Sequence, residues 1–531
     1  MATTSKLRKP YFHPLQGFAL ADESAVRPRI DLAAMPVERA HRRDVRASYD
    51  AARDSEEFSN HWANADALDA DSANSREVRQ KLVQRSRYEI CNNGYLDGMV
   101  QTYATDLVGK GPKLRMQTSS QPFNAMVENE WYRWCKATKF RRKLWCMAHA
   151  KASDGEGLGV IRRNPKVKHR IKLDIQLYET EQCQTPFLLG EEGRIDGISF
   201  DKFGNPEFYD ILQQHPGSNR YWTMQREPER VPAEFVLHWF AMRRPGQHRG
   251  IPEFASTLNV GASSRRYREA VVGAAESVAA LGAVLLKTTL TPDDASELAN
   301  PMDTMAYQKR MMTVLPDGYD CTQLKPEQPA ASYDTFVEAQ ISETARPKNM
   351  PKNKAMCDSS SYNYASGRLD HQTYYASLDV EREDGNDLVL EPVFEVWFRS
   401  AVNVFGWLGG NPDAITVPPH AWDWPMHPVT DQATEAEYID KRLRNGTTSL
   451  SRVYAEAGED FEDDVSTLAQ DYYGDTSEES VAKVRETIRA ALFNSQNQQA
   501  SMEQSAALTK QADTAAKVAD KPAPKGAVNG K

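Results

Sequence analysis

The chain contains few cysteines and no closely spaced cysteine pair. Six cysteines occur among its 531 residues, and none forms a C-x-x-C motif. The nearest grouping with a histidine is Cys135, Cys146 and His149. A zinc site is one interpretation, but the missing C-x-x-C spacing favours scattered buried thiols. Cysteine use of this kind is typical of a reducing compartment.

The sequence also lacks an apolar run long enough to predict a membrane-spanning helix. The most apolar stretch, residues 271–286, contains Glu276 and is shorter than the roughly 20 residues that a span requires. The basic residues 1–10 are not followed by the apolar region of a secretory signal. We therefore expect a packed helix at 271–286 and no membrane partner.

Positive charge is not in excess. Lys and Arg number 65 against 74 Asp and Glu, which gives a formal net charge of −9. A free-standing, sequence-specific DNA-binding protein is more often basic, so any DNA contact should be local or weak. The 40% hydrophobic content, with 10 Trp, 21 Tyr and 18 Phe, predicts a folded chain with more than one domain.

The common enzyme motifs are missing. Residues 109–112 (GKGP) lack the spacing of a phosphate-binding loop, and no G-x-S-x-G, H-E-x-x-H or G-x-G-x-x-G motif follows a predicted strand. The acid pairs at 293–294 and 463–464 are adjacent in sequence, so on a helix their side chains would not face each other. We expect no enzyme activity, no cofactor and no metal.

Helical patterns surround a central block of strands. Asn74 is a candidate cap for a helix that runs to Gly109 and that breaks or bends at residues 92–94, and a second helix is predicted at 122–150. From 155 to 240, short apolar runs alternate with turn residues, which predicts antiparallel β-structure. The fold class is therefore α+β.

A helix, a strand pair and a second helix are predicted next. Spaced apolar residues predict a helix over 254–286, and small residues on its other faces favour close packing against neighbouring helices. Residues 311–324 resemble two strands joined by a Pro-Asp-Gly turn. A short helix with Ser332 as cap follows, and residues 346–361 (RPKNMPKNKAMCDSSS) form a loop that begins with a basic stretch.

The C-terminal part is predicted to be helical. A long helix spans residues 365–407, with a kink at Gly385-Asn386. Shorter helices cover 431–444 and 449–457, and Thr476 with Glu479 can form a capping box for a last helix to Phe493. The aromatic-free tail after Phe493 is expected to be disordered.

Five segments, in order, resemble the lambda-type family of tailed-bacteriophage portal proteins. The most specific of them is VLHWFAMRRPGQHRGIPEFA at 236–255. The other four share the family's order along the chain; they are 49–111, which ends in DLVGKGP, TVLPDGYDCTQLKPEQPAASYDTFV at 313–337, CDSSSYNYASGRL at 357–369, and NGTTSLSRVYAEAGED at 445–460. Together they cover about residues 40–475, and the chain is identified as similar to this family.

The resemblance implies a dodecameric ring with a central channel. The implied portal fold has an α/β wing, a two-helix stem, a small α/β clip, a channel loop, a long kinked helix and a C-terminal helical crown. Its expected parts follow in chain order: mobile N-terminal arm 1–40, wing 41–253, first stem helix 254–284, clip 285–331, second stem helix 332–345, channel loop 346–364, long kinked helix and wing return 365–429, crown 430–493, and disordered tail 494–531.

By the same resemblance, the ring would be the conduit for DNA at one capsid vertex of the virion. It would assemble in the bacterial host cytoplasm. The implied partners are copies of the chain, double-stranded DNA without sequence preference, the terminase large subunit, the major capsid protein, and head-completion or tail-adaptor proteins. The alternatives are another minor capsid or head-completion protein, and a nucleic-acid enzyme with an unrecognised site.

Two sets of basic residues are candidate functional positions. The first would face DNA in the channel, with a solvated surface loop as the alternative: Arg346, Lys348, Lys352 and Lys354. The second would contact a neighbouring subunit or connect wing to stem, with local pairing or solvent exposure as the alternative: Arg243, Arg244, His248, Arg249, Arg265, Arg266 and Arg268. DNA must slide through a channel, so a strongly basic lining would slow its passage.

Overall fold

A computed structural model describes residues 62–185, 193–218, 228–279, 283–287, 319–323, 332–360, 362–409, 416–428, 432–456 and 461–491. The chain divides into two units, Met1–Ala67 and Leu68–Lys531, and the elements below belong to the second. Several predictions lie outside the described residues: the N-terminal arm, the turn at 316–318 and the tail.

The first helices form a group interrupted at two defined residues. They are α1 (Ala70–Ala73), α2 (Arg76–Asn92), α3 (Gly94–Val108), α4 (Gln121–Thr138) and α5 (Phe140–Asp154). The predicted break at 92–94 is confirmed, because Asn93 has an extended conformation between α2 and α3. The single helix predicted at 122–150 is instead two helices, because Lys139 adopts a left-handed conformation (φ 55°).

The predicted cap of α2 is wrong by one residue. Ser75 occupies the N-cap position. The Asn74 side-chain amide instead donates to the carbonyl oxygens of Arg249 and Gly250, at 3.1 and 3.3 Å. Asn74 thus ties the start of α2 to the segment before the next long helix.

The central block is antiparallel, as predicted. Its strands are β2 (Glu156–Arg163), β3 (Leu173–Tyr178), β4 (Arg194–Ile195), β5 (Ile198–Phe200), β6 (Pro206–Ile211), β7 (Glu229–Pro232) and β8 (Val236–Phe240). They form a three-stranded sheet, β3-β2-β8, and a four-stranded sheet, β4-β5-β6-β7. A separate pair joins β1 (Lys113–Met116) to β11 (His420–Asp423).

The predicted helix at 254–286 is too long. The helix α6 spans Leu258–Ala279, and Ala283–Lys287 is a strand, β9, that pairs antiparallel with β10 (Tyr319–Gln323). A short apolar run fits a strand or a buried helix equally well by periodicity. The partner strand, which is far away in sequence, decides between them. The helix α7 (Tyr333–Ala345) follows.

The long C-terminal helix departs from α-helical geometry where the sequence predicted a kink. It consists of α9 (Tyr364–Gly385), a π-helical turn over Asn386–Leu390, and α10 (Glu391–Phe405). At Gly385, an added Cβ would lie 3.1 Å from the Trp239 ring. The absence of a side chain there lets the kinked helix pack directly on β8.

Short helices follow near the end of the described chain. They are α11 (Gln432–Arg444), α12 (Leu450–Glu456), α13 (Phe461–Tyr473) and a helix over 478–491. The predicted capping box at Thr476 is wrong, because Ser477 accepts from the backbone N–H of Ser480 at 3.3 Å. The Glu479 carboxylate instead contacts Lys483 at 2.8 Å.

An aromatic cluster forms the largest core. Trp131 contacts Trp397 and Phe394 edge-on, with ring centroids 5.1 and 5.4 Å apart. Buried rings of this size each remove roughly 150–250 Å² from water. This cluster joins α4 to α10 across more than 250 residues of sequence and so fixes the frame on which the basic segments are held. Within the described part of the chain, no helix has the length and apolarity needed to cross a membrane.

Candidate functional site

The basic segment predicted as a loop is largely helical. Residues Arg346–Lys348 form a 3-10 turn, and Lys352–Met356 form the short helix α8. Pro347 lies in the first turn of one element and Pro351 is the N-cap residue of the other. Prolines favour helix starts because their φ is already helical and they have no N–H to satisfy. The loop prediction for these residues is therefore wrong.

Lys348 lies inside the subunit. Its side chain is only 4% exposed and pairs with the carboxylate of Glu381 on α9. The Lys151 ammonium, on α5, lies 2.8 Å from Glu381 Oε2 and 3.0 Å from Glu253 Oε1. The phenol of Tyr103 also donates to Glu381. We call Lys151, Lys348, Glu253 and Glu381 the buried ion cluster.

The charges of this cluster stabilise one another. Burial opposes ionisation of Glu381, yet Lys151 and Lys348 lower its pKa to about 2. Burial lowers the pKa of Lys348, although Glu381 opposes that effect. A buried charge persists only when it is paired, because desolvation costs several kcal/mol per ion. Lys348 is therefore not available to DNA in this structure, which removes it from the channel set.

The other three channel candidates lie nearer the surface. Lys352 Nζ lies 2.6 Å from Glu338 Oε2, and Lys354 Nζ lies 2.5 Å from Asp106 Oδ2. Arg346 is exposed and donates to Asn349 Oδ1 at 2.7 Å. Two of these charges are thus partly neutralised by carboxylates, and Arg346 is the exposed member. Their assignment to a channel stays a prediction.

Arg249, from the second set, is a core residue. It is fully buried, and its guanidinium donates to Glu156 Oε1 at 2.5 Å and to Asp196 Oδ2 at 3.2 Å. Burial opposes the ionisation of Glu156, but Arg249 and a hydrogen bond from His238 hold its pKa well below the usual value. Arg249 therefore has no free surface with which to contact a neighbouring subunit, and the inter-subunit expectation fails at this position.

The residues around Arg249 pair locally. Arg243 pairs with Glu253 of the buried ion cluster. Arg244 Nη2 donates to the carbonyl of Leu68 at 3.0 Å, and His248 Nδ1 lies 2.7 Å from Asp71 Oδ2. These contacts agree with the alternative of a turn whose charges are paired within the subunit.

The three arginines near the start of α6 have different surroundings. Arg265 Nη2 lies 3.1 Å from Glu89 Oε1, and Arg268 Nη2 donates to Asn93 Oδ1 at 3.0 Å. Both contacts attach α6 to α2 and its C-terminal end. Arg266 is exposed, so it is the arginine of this group that remains available for an inter-subunit contact.

Potential metal ligands come together elsewhere than the sequence suggested. In the described ranges, three side chains that could bind a metal lie close together: Glu179, Glu181 and His215. Arg87 already lies 3.2 Å from Glu179 and 2.9 Å from Glu181. Because a guanidinium occupies the position between these carboxylates, we assign no metal there. Of the grouping that the sequence suggested, Cys135 is a thiol whose pKa is raised by burial well above its usual value.

The buried ion cluster could not be identified from the sequence. Its four members come from separate segments, and each resembles an ordinary surface charge when read along the chain. Only Lys348 belonged to a predicted set. The cluster becomes visible only when α5, α9 and the 3-10 turn at 346–348 are seen packed together in three dimensions.

Comparison with known proteins identifies the family. Residues 58–382 match the description "Phage portal protein, lambda family". A probable portal protein of Halomonas phage phiHAP-1 is 23% identical over 456 residues, which cover 78% of this chain and 84% of that protein.

A search of solved structures also returned matches at low sequence identity. The virion of a native gene transfer agent particle contains a chain with a TM-score of 0.38 and 14% identity, covering 71% of this chain and 93% of that chain. An HK97-family phage portal protein from Corynebacterium diphtheriae has a TM-score of 0.29 and 12% identity, covering 54% of this chain and 85% of that chain. Because the family match extends over more than half of the sequence, the chain belongs to the lambda family of phage portal proteins.

Proposed function

We propose that this protein forms a dodecameric ring at one capsid vertex, and that DNA enters and leaves the capsid through the channel of the ring. The observation that carries the proposal is the family match across residues 58–382. In the proposed arrangement, the wing comprises 41–253, the stem helices α6 (Leu258–Ala279) and α7 (Tyr333–Ala345) flank the clip, and 430–493 form the crown.

The order of elements after residue 258 supports a stem and a clip. The strand pair β9–β10 is inserted between α6 and α7. The two helices pack through aromatic rings: Tyr267 stacks on Tyr333 at 5.9 Å and meets Phe336 edge-on at 5.1 Å. A helix pair that carries a small β-unit between its two members is what a stem with a clip requires.

Apolar exposure on this helix pair supports ring formation. Val272 on α6 is 58% exposed and Phe336 on α7 is 46% exposed in the single chain. Ala270 and Ala275 of α6 are also exposed. A ring is closed by one repeated heterologous contact, and small and apolar side chains on α6 suit close packing against the next copy.

The basic segment 346–356 is proposed to face the channel through Arg346, Lys352 and Lys354. Phosphate binding by unpaired cations releases counterions and strengthens with each cation. Pairing of Lys352 with Glu338 and of Lys354 with Asp106 would weaken their hold on DNA. Weak contacts suit a duplex that must slide.

The proposed partners follow from this role. The terminase large subunit would dock at the clip and hydrolyse ATP, so the ring itself would need no catalytic site. The major capsid protein would surround the wing, and head-completion or tail-adaptor proteins would bind at the exit. The ring would be a virion component that assembles in the bacterial host cytoplasm.

Electron microscopy of the purified protein tests the proposal. Class averages viewed down the ring axis should show dodecameric rings with a central hole. A compact closed dimer, unchanged at higher concentration and at varied salt, would contradict it and favour another head-completion protein.

A further inference from the structure

A strongly basic β-hairpin lies outside both sets of residues discussed above. Strands β2 and β3 pair antiparallel and are joined by the segment 164–172. No Asp or Glu occurs between residues 157 and 173. The basic residues in this interval are Arg162, Arg163, Lys166, Lys168, Arg170 and Lys172. The whole chain has a net charge of −9, so this excess of positive charge is confined to the hairpin and does not reflect the overall composition.

The hairpin is held firmly against three helices. Trp134 Nε1, on α4, donates to the carbonyl of Leu173 at 3.0 Å. His169 Nε2 lies 3.2 Å from Glu130 Oε2, and Lys143 of α5 pairs with Asp174. The guanidinium of Arg170 lies 5.3 Å from the Phe405 ring of α10. Its basic side chains are therefore presented from a fixed position.

Four cations of the hairpin are exposed without a carboxylate partner among the described residues. We call Arg163, Lys166, Lys168 and Arg170 the hairpin patch. The nearby carboxylates are already engaged. Glu130 pairs with Arg133 at 2.7 Å, and Asp174 accepts from Asn164 at 2.8 Å.

We propose that the hairpin patch binds the phosphate backbone of double-stranded DNA. Exposed Arg and Lys on a rigid element provide sequence-independent affinity through counterion release. The patch consists of different residues from the proposed channel segment 346–356, so this second DNA surface goes beyond the channel role and can be tested separately from it.

The composition of the hairpin favours DNA over an acidic protein. Cores of protein–protein interfaces are enriched in aromatic side chains and depleted in Lys. In the segment that joins the strands, the aliphatic side chains of Val167 and Ile171 are buried. The hairpin patch thus offers charge without the apolar centre that a protein partner would use.

The test is a DNA-binding titration with the assembled full-length protein. Fluorescence anisotropy of a labelled mixed-sequence duplex of about 30 base pairs would be followed at about 50 and 150 mM salt. In the variant Arg163→Glu/Lys166→Glu/Lys168→Glu, we expect at least about tenfold weaker binding and a slope of log K against log salt that is shallower by about 3. A neutral Gln triple at the same positions should change both in the same direction.

The matched control is Lys81→Glu/Arg85→Glu/Lys110→Glu. These residues are also exposed, and the variant makes the same change in net charge. Its binding should stay within about twofold of the wild type, since the phosphate contacts are local. Equal losses in both Glu triples, or wild-type binding by the hairpin variants, would overturn the proposal.

Two further outcomes are informative. A wild-type protein that fails to bind the duplex at low salt would also overturn the proposal and leave the hairpin patch for an acidic protein partner. Electron microscopy of both Glu triples separates this result from ring assembly. Normal rings with lost DNA binding support the hairpin proposal, whereas a hairpin triple that binds poorly only because its rings are absent contradicts it.

Discussion

Lys348 and Glu381 form a buried ion pair that joins the basic segment to the long kinked helix. The sequence placed Lys348 near three other cations, but in the fold it lies inside the subunit against Glu381 and Glu253, and Lys151 pairs with the same two carboxylates. The pair therefore anchors the base of the segment, while Arg346, two residues earlier, stays exposed.

Removing the Lys348 ammonium should destabilise the fold. We expect Lys348→Met to lower the free energy of unfolding by about 3 kcal/mol, because a buried carboxylate loses one of its partners. Lys352→Met is the control, since its pair with Glu338 is partly exposed and exposed pairs contribute about 1 kcal/mol or less. Urea denaturation measures both. Equal effects would contradict the anchoring role.

The buried ion cluster should make stability depend on acid pH. The pKa of Glu381 is lowered from 4.5 to about 2 in the folded state, so its contribution is present above about pH 4.5 and is lost as the pH falls toward 2. This corresponds to about 3 kcal/mol. Urea denaturation of the wild type and Glu381→Gln should show a difference at pH 7 that shrinks at low pH. A constant difference would refute the assignment.

Arg249 should matter for folding, and Arg266 should not. Arg249→Leu leaves Glu156 buried with a reduced set of partners, at a cost of about 3–5 kcal/mol. Arg266→Leu changes an exposed side chain and should alter stability by about 0.5 kcal/mol or less. Thermal unfolding of the two variants compares them directly. Retained wild-type stability in Arg249→Leu would show that the buried network is dispensable.

Gly155 should not tolerate a side chain. Its φ is +95°, and an added Cβ would lie 2.4 Å from the backbone carbon of Ile251. We expect Gly155→Ala to cost about 1–2 kcal/mol from the left-handed backbone alone, with the cost of the close contact in addition. Gly98→Ala is the control: α3 has open space there, so this change should stabilise by up to about 1 kcal/mol. Chemical denaturation checks both signs.

Val272 tests the proposed contact between subunits. Because Val272 is exposed in the single chain, Val272→Glu should leave the subunit folded. A charge buried between copies should prevent ring closure. Val272→Ala keeps an apolar side chain and should still assemble. Size-exclusion chromatography with light scattering distinguishes rings from single subunits. If Val272→Glu still forms rings, Val272 does not lie in the contact between subunits.

Local chemistry in the sequence determined several elements correctly. The break at Asn93, the antiparallel block from residue 156 and the irregular turn after Gly385 each depend on residues close together in the chain. Backbone preferences of Gly and Asn, and the alternation of apolar residues, operate over a few positions and can be read directly. The family resemblance likewise depends on short segments of sequence that occur in the family's order.

Long-range packing decided the rest. Residues 283–287 became a strand only because residues 319–323 lie beside them. Lys348, and not Arg346, is buried because Glu381 lies where it can pair with Lys348. Arg249 is buried because it pairs with Glu156. The cost of burying a charge is decided by partners that the fold brings from distant segments. The sequence alone therefore located the basic residues, and only the tertiary structure separated those that stabilise the core from those that remain free to bind.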